Sequence, residues 1–412
     1  WYYWRDPKPD GSPPNNWRSH FGGPAWTLDE RTGQYYLHLF TPQQPDLNWR
    51  NPEVRDAMYA TLRFWLDRGV DGFRMDVVHM IMKDPEMRDN PPNPRPGTFM
   101  DPEFEAQLHV HDKAHPDVHE TLRRVRSIVD GYAGDRVLIG EIEPMPWPRW
   151  VEFYGRDLDE IHLPFNFTLL DAPWEAGRFR SLVNALEDAL PTGAWPNYVL
   201  GNHDTARLVT RYGPNAARTA AMLLLTLRGT PTLYQGDELG LDEASVPPER
   251  QLDPWAARHP ARGRDGCRTP LPWNATATAG FSPPGGAPPW LAIPADHHSL
   301  NVEAQLDDAR SLLNLYRKLL RLRRRYTALR LGAYAAVASG EGIFAYTRAV
   351  PGSRLLVALN FTNEEQTVAA GSGEILLSTE LDRTGTIEEP LRLRAHEGLV
   401  MRVNAGGGWP GA

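Results

Sequence analysis

The sequence predicts an α/β fold: a (β/α)8 barrel, an inserted loop-rich subdomain and a C-terminal antiparallel β domain. Three observations lead to this prediction. Short apolar strands alternate with amphipathic helices over residues 51–332, which is typical of parallel strands with helical crossovers. Residues 1–50 show no sustained helical or strand period. Residues 333–412 follow a period of two without helices, which indicates an antiparallel sheet.

The bulk composition limits the classes of function. The 412 residues are enough for a barrel of about 250 residues and a smaller second domain. With 52 acidic and 44 basic residues, the net charge of -8 gives no reason to expect nucleic acid or a membrane surface as partner. The single cysteine, Cys267, excludes an intrachain disulfide, so we expect a cytoplasmic location. A neutral substrate fits this composition best.

The N-terminal segment is rich in Trp, Tyr, Pro, Asn and Gly, so residues 1–50 are predicted to be irregular. A helix should begin directly after them. Asn51 is a good N-cap, Pro52 suits the first helical position, and Glu53 lies in the first turn. The apolar residues of this helix share one face: Val54, Met58, Leu62 and Trp65.

Five apolar strands with helices between them follow. The strands are predicted at 71–78, 136–142, 161–167, 197–204 and 230–238. The helices are centred near 117–131, 178–190, 214–228 and 308–331. Gly332 suits the C-terminal cap of the last helix, so the barrel is assigned to 51–332 and the β domain to 333–412.

Carboxylates end three of these strands. Asp76 ends the first, Glu141 the second and Asp204 the fourth. In a parallel barrel the reactive groups lie at the C-terminal strand ends, and the interval from Glu141 to Asp204 matches two barrel units of about 31 residues each. Each of them alone is equally well explained as a strand-end carboxylate paired with an arginine. All three at barrel spacing favour a catalytic set.

Two carboxyl groups on either side of a sugar can hydrolyse a glycoside. In the retaining mechanism they lie about 5 to 5.5 Å apart; one attacks the anomeric carbon and the other serves as acid and then base. Arg74 and Asp76 share a strand face, so Arg74 should keep Asp76 ionised. Glu141 lies between Gly140 and Ile142, which is the more apolar setting that a general acid needs.

Several short segments resemble signatures of the α-amylase family, and more closely of its α-glucosidase and oligo-1,6-glucosidase branch. These segments are QPDLNW (44–49), DGFRMD (71–76), LIGE (138–141), NHD (202–204), GTPTLYQGDELG (229–240) and GRDGCRTPLPW (263–273). The resemblance implies a TIM-type barrel of which this chain contains strands 4 to 8. Residues 1–50 would then belong to the subdomain inserted after strand 3.

The resemblance also implies roles for individual residues. Asp76 would be the nucleophile, Glu141 the acid/base, and Asp204 the carboxylate that stabilises the transition state through the 2- and 3-hydroxyls. His203 and Arg74 would complete this site.

Four further substrate contacts are expected from the same resemblance. Arg268 would lie at the non-reducing end of the bound glucose, and Arg207 is a weaker candidate for a substrate contact. Phe165 would flank the aglycone side, although a core position suits it better. Val77, directly after the nucleophile, resembles the residue of enzymes that prefer α-1,6 bonds, but a single side chain leaves the linkage open.

The family barrel begins with three strands and an Asp and Asn-His signature that this chain does not contain. We therefore expect an N-terminal part of the same enzyme, either on a second polypeptide or outside this numbering. No cofactor is expected from the residues present. A structural calcium site found in many relatives lies in the absent region, so the sequence does not report on it.

Two other patterns are interpreted as structural. His109, His111, His115 and His119 have spacings that superficially resemble metal ligands, but they lie in a loop before a helix, so no metal site is predicted. The basic run at 317–325 has its leucines at helical spacing and is interpreted as the solvated face of a helix, not as a nucleic-acid site.

Three functions remain open at this level. The first is an exo-acting retaining α-glucosidase that removes terminal α-1,4- or α-1,6-linked glucose from short oligosaccharides. The second is a transglucosidase, sucrose isomerase or trehalose synthase that uses the same glycosyl-enzyme intermediate. The third, a noncatalytic scaffold, is disfavoured because all three carboxylates are present.

Overall fold

The computed structural model describes residues 1–97, 101–256, 263–369, 371–387 and 390–403. The chain divides into two compact units. The first contains Trp1–Phe165, Pro191–Ala194 and Asp253–Gly263, and the second contains the remaining residues. Within the described ranges, no helix has both the length and the apolar character needed to cross a bilayer.

The N-terminal segment of the first unit contains a small antiparallel sheet, so the prediction of irregular structure for residues 1–50 is wrong in part. Its strands are β1 (Trp4–Arg5), β2 (Trp26–Asp29) and β3 (Gln34–Leu37), in the order β1-β3-β2. Strands of two to four residues are too short to show a period of two, so their pattern is lost among the loops. A cluster of buried side chains stabilises this segment, and it includes Tyr3, Trp17, Trp26, Leu37 and Met80.

The predicted helix after Asn51 is confirmed. Helix α1 spans Pro52–Leu66, and the side chain of Asn51 accepts a hydrogen bond from the backbone N–H of Glu53. Its predicted apolar face is wrong in part, because Trp65 is 47% exposed. The buried residues are Val54, Tyr59 and Leu66. The other helices of this unit are α2 (Pro102–Glu105), α3 (Val118–Asp130) and α4 (Trp147–Trp150).

Three parallel strands of the first unit confirm the predicted strand type. They are β4 (Gly72–Met75), β5 (Val137–Gly140) and β6 (Leu163–Pro164), in the order β4-β5-β6. Gly72 opens β4 because nothing larger fits: a Cβ there would lie 2.0 Å from the carbonyl oxygen of Val137. The close approach of β4 and β5 therefore depends on glycine at this position.

The second unit contains another parallel pair, β7 (Asn197–Val199) and β8 (Thr230–Thr232), and Asn166 bridges in parallel to Tyr198. Its helices are α5 (Ala176–Ala189), α6 (Leu208–Tyr212), α7 (Ala216–Thr226), α8 (Val302–Asp307), α9 (Leu312–Arg325) and α10 (Thr327–Leu331). All residues of α7 except Arg218 are buried. The single helix predicted near 308–331 is therefore wrong, because the structure has three separate helices between residues 302 and 331.

The C-terminal residues form the predicted antiparallel β structure. The strands are β9 (Ala333–Val337), β10 (Ile343–Val350), β11 (Ser353–Asn360), β12 (Gln366–Val368), β13 (Gly373–Ser378), β14 (Gly385–Ile387), β15 (Leu391–Leu393) and β16 (Gly398–Val403). Six of them form a sheet in the order β14-β13-β16-β11-β10-β9, and β12 pairs with β15. Buried residues from both sheets share one apolar cluster, which includes Ala345, Leu356, Val368 and Leu393.

Candidate active site

The first unit brings together Arg74, Asp76 and Glu141. One Nη of Arg74 donates to Oδ1 of Asp76 at 2.5 Å, and the other contacts the carboxylate of Glu141. The Asp76 side chain is 71% exposed and that of Glu141 is 15% exposed. The guanidinium beside Glu141 differs from the apolar setting that its sequence neighbours predicted, because the sequence did not show that Arg74 reaches both carboxylates.

Backbone hydrogen bonds fix the two carboxylates at adjacent strand ends. The N–H of Glu141 donates to the carbonyl of Met75 at 2.9 Å, and the N–H of Val78 donates to the carbonyl of Glu141 at 3.1 Å. The parallel ladder between β4 and β5 thus continues past the last strand residues. Asp76 lies between Met75 and Val78, which make these two hydrogen bonds, so its backbone has little freedom to move relative to Glu141.

The chain turns sharply directly after Asp76. Val77 has φ of 36°, in the left-handed region, and a β-branched residue there is a clear outlier. Such a conformation costs on the order of 1 to 3 kcal/mol and persists only where packing enforces it. Val77 packs against the aromatic cluster of the N-terminal segment, and Val78–Met80 after it are all buried. This packing holds the turn that follows the carboxylate.

Phe165 follows β6 in the first unit. Its side chain is half-buried, and its N–H donates to the carbonyl of Gly140 at 2.8 Å. This hydrogen bond fixes the backbone of Phe165 next to Gly140, which ends β5 and directly precedes Glu141. Its expected place beside the aglycone stays a prediction.

In the second unit, Asp204 has three charged or chargeable neighbours. Arg264 donates to Oδ1 of Asp204 at 2.7 Å, and Arg268 donates to the same oxygen at 2.9 Å. Nε2 of His203 lies 3.3 Å from Oδ2. The N–H of Asp204 also donates to the side chain of Asn202 at 3.0 Å. Asp204 is thus held on both oxygens and on its backbone.

Arg264 is the contact that sequence reasoning missed. It lies in the same segment as Arg268, within the signature at 263–273, but only Arg268 was singled out there. Arg268 also donates from Nε to the carbonyl of His203 at 2.8 Å, so it fixes the backbone next to Asp204. The sequence does contain a signal for this contact, because Arg264 lies four residues before Arg268 in the same signature segment.

Arg207 is an internal residue of the second unit. It is 1% exposed, donates to the carbonyl of Gln235 at 2.9 Å, and lies 5.3 Å from the ring centre of Tyr234. Its Nε and Nη2 have no hydrogen-bond partner among the described residues. Burial raises the pKa of the neighbouring Asp237 to about 7, and the charges of Arg207 and Arg211 oppose this increase.

The four loop histidines have protein partners. Nδ1 of His109 lies 2.6 Å from Asp112, and Nδ1 of His119 lies 2.8 Å from Glu160. His111 lies 3.5 Å from Asp84, and His115 lies 3.3 Å from Asp117. In the part of the chain that the structure describes, no group of three or more His, Cys, Asp or Glu has a metal-binding arrangement. These contacts account for the histidines as structural partners of carboxylates.

Comparison with known proteins adds independent findings. Residues 1–332 match the α-amylase catalytic domain. The chain is 37% identical to a probable α-glucosidase of Rhizobium meliloti (strain 1021), covering 89% of this chain and 68% of that protein. It is 31% identical to an oligo-1,6-glucosidase of Parageobacillus thermoglucosidasius, covering 98% and 77%.

Solved structures give the same result. The crystal structure of the α-glucosyl transfer enzyme XgtA superposes with a TM-score of 0.90 at 38% identity, over 98% of this chain and 77% of that one. The trehalulose synthase MutB superposes with a TM-score of 0.84 at 30% identity, over 98% and 78%. The predicted fold class, a (β/α)8 catalytic domain with a C-terminal antiparallel β domain, is confirmed.

Proposed function

The chain belongs to the α-amylase family, and on this premise we propose that it is an exo-acting retaining α-glucosidase. Its substrates would be short oligosaccharides with terminal α-1,4- or α-1,6-linked glucose. The observation that carries the proposal is the pair Asp76 and Glu141, fixed at adjacent strand ends and joined through Arg74. The names α-glucosidase and oligo-1,6-glucosidase among its relatives support this reading.

The proposed reaction needs only these carboxylates and water. Asp76 attacks the anomeric carbon while Glu141 transfers its proton to the glycosidic oxygen, and the aglycone leaves as an alcohol. Glu141, now ionised, takes a proton from water, which attacks the glucosyl ester and frees Asp76. Two inversions give net retention. Arg74 orients both carboxylates through its two Nη atoms.

The residues of the second unit are proposed to bind the glucose. Asp204 and His203 would accept and donate hydrogen bonds at the 2- and 3-hydroxyls, which are worth several kcal/mol when they tighten in the transition state. Arg264 and Arg268 orient the Asp204 carboxylate for this task. Arg268 would also limit the site at the non-reducing end, which gives exo action.

A second function uses the same glucosyl-enzyme but transfers glucose to a sugar. The structural similarity to an α-glucosyl transfer enzyme and to a trehalulose synthase favours this alternative specifically. Water and sugar compete for one intermediate, so the products decide between them. Incubation with maltose, isomaltose and sucrose separates hydrolysis from transfer, because only transfer yields new disaccharides.

Three further expectations stay proposals. The described residues contain five parallel strands, and we propose that residues outside this numbering, on the same or a second polypeptide, supply the other three of the family barrel. Activity of the purified 412-residue chain as a cooperatively folded monomer would overturn this. No cofactor takes part in the proposed reaction, so EDTA added during the assay should not slow the chemical step. A gradual loss of activity that calcium restores would instead identify a structural calcium site outside this numbering. A cytoplasmic location is testable by cell fractionation.

The central test is glucose release from maltose and isomaltose by the intact enzyme and by Asp76→Asn. We expect the variant to lose activity on the order of 10⁴-fold or more, as for removal of other catalytic nucleophiles. Asp56→Asn, at an exposed position of α1, is the matched control and should retain full activity. The ratio of the two wild-type rates gives the linkage preference. Full activity of Asp76→Asn would show that another group is the nucleophile.

A further inference from the structure

A polar cluster of the first unit contains residues that closely follow the two proposed catalytic carboxylates in sequence, and the reaction described above does not use it. Its centre is the carboxylate of Glu143, two residues after Glu141. Nζ of Lys113 donates to Oε2 of Glu143 at 2.6 Å. Nε2 of His79 lies 3.6 Å from the same oxygen, and Nε2 of His20 lies 3.7 Å from Oε1.

The four residues of this cluster come from four separate segments of chain. His79 lies three residues after the proposed nucleophile, and its carbonyl accepts a hydrogen bond from the N–H of Ala114 at 2.6 Å. Arg149 in α4 donates to the carbonyl of Ala114 at 3.0 Å. Through Ala114, the Lys113–Ala114 segment is thus hydrogen-bonded to His79, which follows β4, and to Arg149 of α4, which follows β5. The Lys113–Glu143 ion pair joins the same segment to the chain between β5 and α4.

Glu141 therefore lies between two anchors. On one side its backbone N–H and carbonyl are hydrogen-bonded to Met75 and Val78. On the other side, two residues later, Lys113 holds the side chain of Glu143. A shift of the segment that contains the Glu141 side chain would have to lengthen one of these contacts.

The charges of the cluster suit a fixed ion pair. Burial by itself would raise the pKa of Glu143, but the ammonium of Lys113 and the neighbouring ring of His79 hold it well below its usual range. Burial lowers the pKa of His20 to about 3, so this ring is neutral. It packs between Phe40 and Phe104, with ring centres 4.9 and 4.1 Å away. Lys113 is therefore the permanent cation that neutralises Glu143.

We propose that Glu143, held by Lys113, is a positioning residue for the acid/base Glu141. This inference rests on the proposed function of Glu141. Proton transfer requires the acid to lie about 2.6 to 3.2 Å from the oxygen it protonates. A displacement of about 1 Å can reduce the rate on the order of 10²-fold. Loss of the ion pair should therefore weaken the acid step and leave the nucleophile intact.

The test compares maltose with α-glucosyl fluoride as substrates of the intact enzyme. Fluoride leaves with little protonation, so only maltose depends on a well-placed acid. Glu143→Gln and Lys113→Met remove the ion pair from its two ends. We expect each to reduce kcat/KM on maltose about ten- to a hundredfold and kcat/KM on the fluoride much less, because kcat/KM reports the first step and excludes the second step, in which Glu141 acts as a base on both substrates. Glu86→Gln and Lys8→Met, at exposed positions, are the matched controls.

The outcomes separate the inference from the function on which it rests. Equal losses on both substrates, together with a lower Tm, would show that the pair only stabilises the fold and would overturn the inference. Unchanged activity on both substrates would also overturn it. Full activity of Glu141→Gln on maltose would overturn the proposed function of Glu141 and this inference with it.

Discussion

The two units place their strand-end carboxylates in different surroundings. In the first unit, Asp76 and Glu141 share the single guanidinium of Arg74, and Asp76 is 71% exposed. In the second, Asp204 alone binds both Arg264 and Arg268 and is 30% exposed. A nucleophile has to reach carbon and change its bonding, whereas a carboxylate that only binds hydroxyls gains from being fixed in advance. The difference in pairing agrees with the difference in proposed role.

Among the variants that distinguish the chemical step in the first unit from hydroxyl binding in the second, the largest effect is expected at Glu141. Glu141→Gln should lose about 10²- to 10⁴-fold in kcat/KM on maltose, the usual contribution of a general acid, and much less on α-glucosyl fluoride. Asp204→Asn should lose by a similar factor on both substrates, because hydroxyl binding does not depend on the leaving group. Steady-state kinetics of the two variants on the two substrates measure this. A leaving-group dependence in Asp204→Asn would remove the distinction between the two regions.

A smaller effect is expected from the arginines of the second unit. Arg264→Met and Arg268→Met should each lower kcat/KM about tenfold, since a hydrogen bond to a charged group contributes roughly 1.5 kcal/mol or more and the other arginine remains. Arg74→Met should cost more, because one change leaves two carboxylates without their shared partner.

The control for these arginine variants is Arg321→Met, which changes an exposed position on α9. If Arg264→Met behaves like this control, the second guanidinium at Asp204 is dispensable. The double variant of Arg264 and Arg268 is then informative. A loss greater than the product of the two single losses would show that each arginine substitutes for the other.

The strand-end carboxylates can be predicted from the sequence because the required information is local. A period of two defines a strand, and the strand end identifies Asp76 and Glu141 without any knowledge of distant residues. The arginines that pair with these carboxylates are harder to predict from the sequence. Arg74 was found because it lies two positions from Asp76 on the same strand, but its contact with Glu141 and the ion pair from Arg264 depend on tertiary packing.

The same limit applies to the fold. The helix after Asn51 was predicted because its cap and first turn are local signals. Its buried face was wrong in part, since packing buries Tyr59 and Leu66 and leaves Trp65 exposed. The short N-terminal sheet was missed because its strands pair through contacts between residues far apart in sequence, such as Trp4 with Tyr36.

The smallest effect concerns stability and a buried carboxylate of the second unit, Asp237. Asp237 is 8% exposed, and burial raises its pKa to about 7 from 3.8, with Arg207 and Arg211 acting in the opposite direction. In the unfolded chain it ionises near pH 4. Between pH 4 and 7 the folded state therefore retains a proton that the unfolded state has lost, so this group stabilises the fold less as the pH rises to 7.

Asp237→Asn cannot ionise, so it should match the wild type in free energy of unfolding at pH 4 and gain on it progressively up to pH 7, with no further gain above. A carboxyl whose pKa moves from 3.8 to about 7 corresponds to roughly 4 kcal/mol at most. Urea unfolding of both proteins at pH 4, 5, 6, 7 and 8 measures the difference, with Asp56→Asn as the exposed control. A difference independent of pH would mean that Asp237 is ionised in the folded state over this pH range despite its burial, and would contradict the raised pKa.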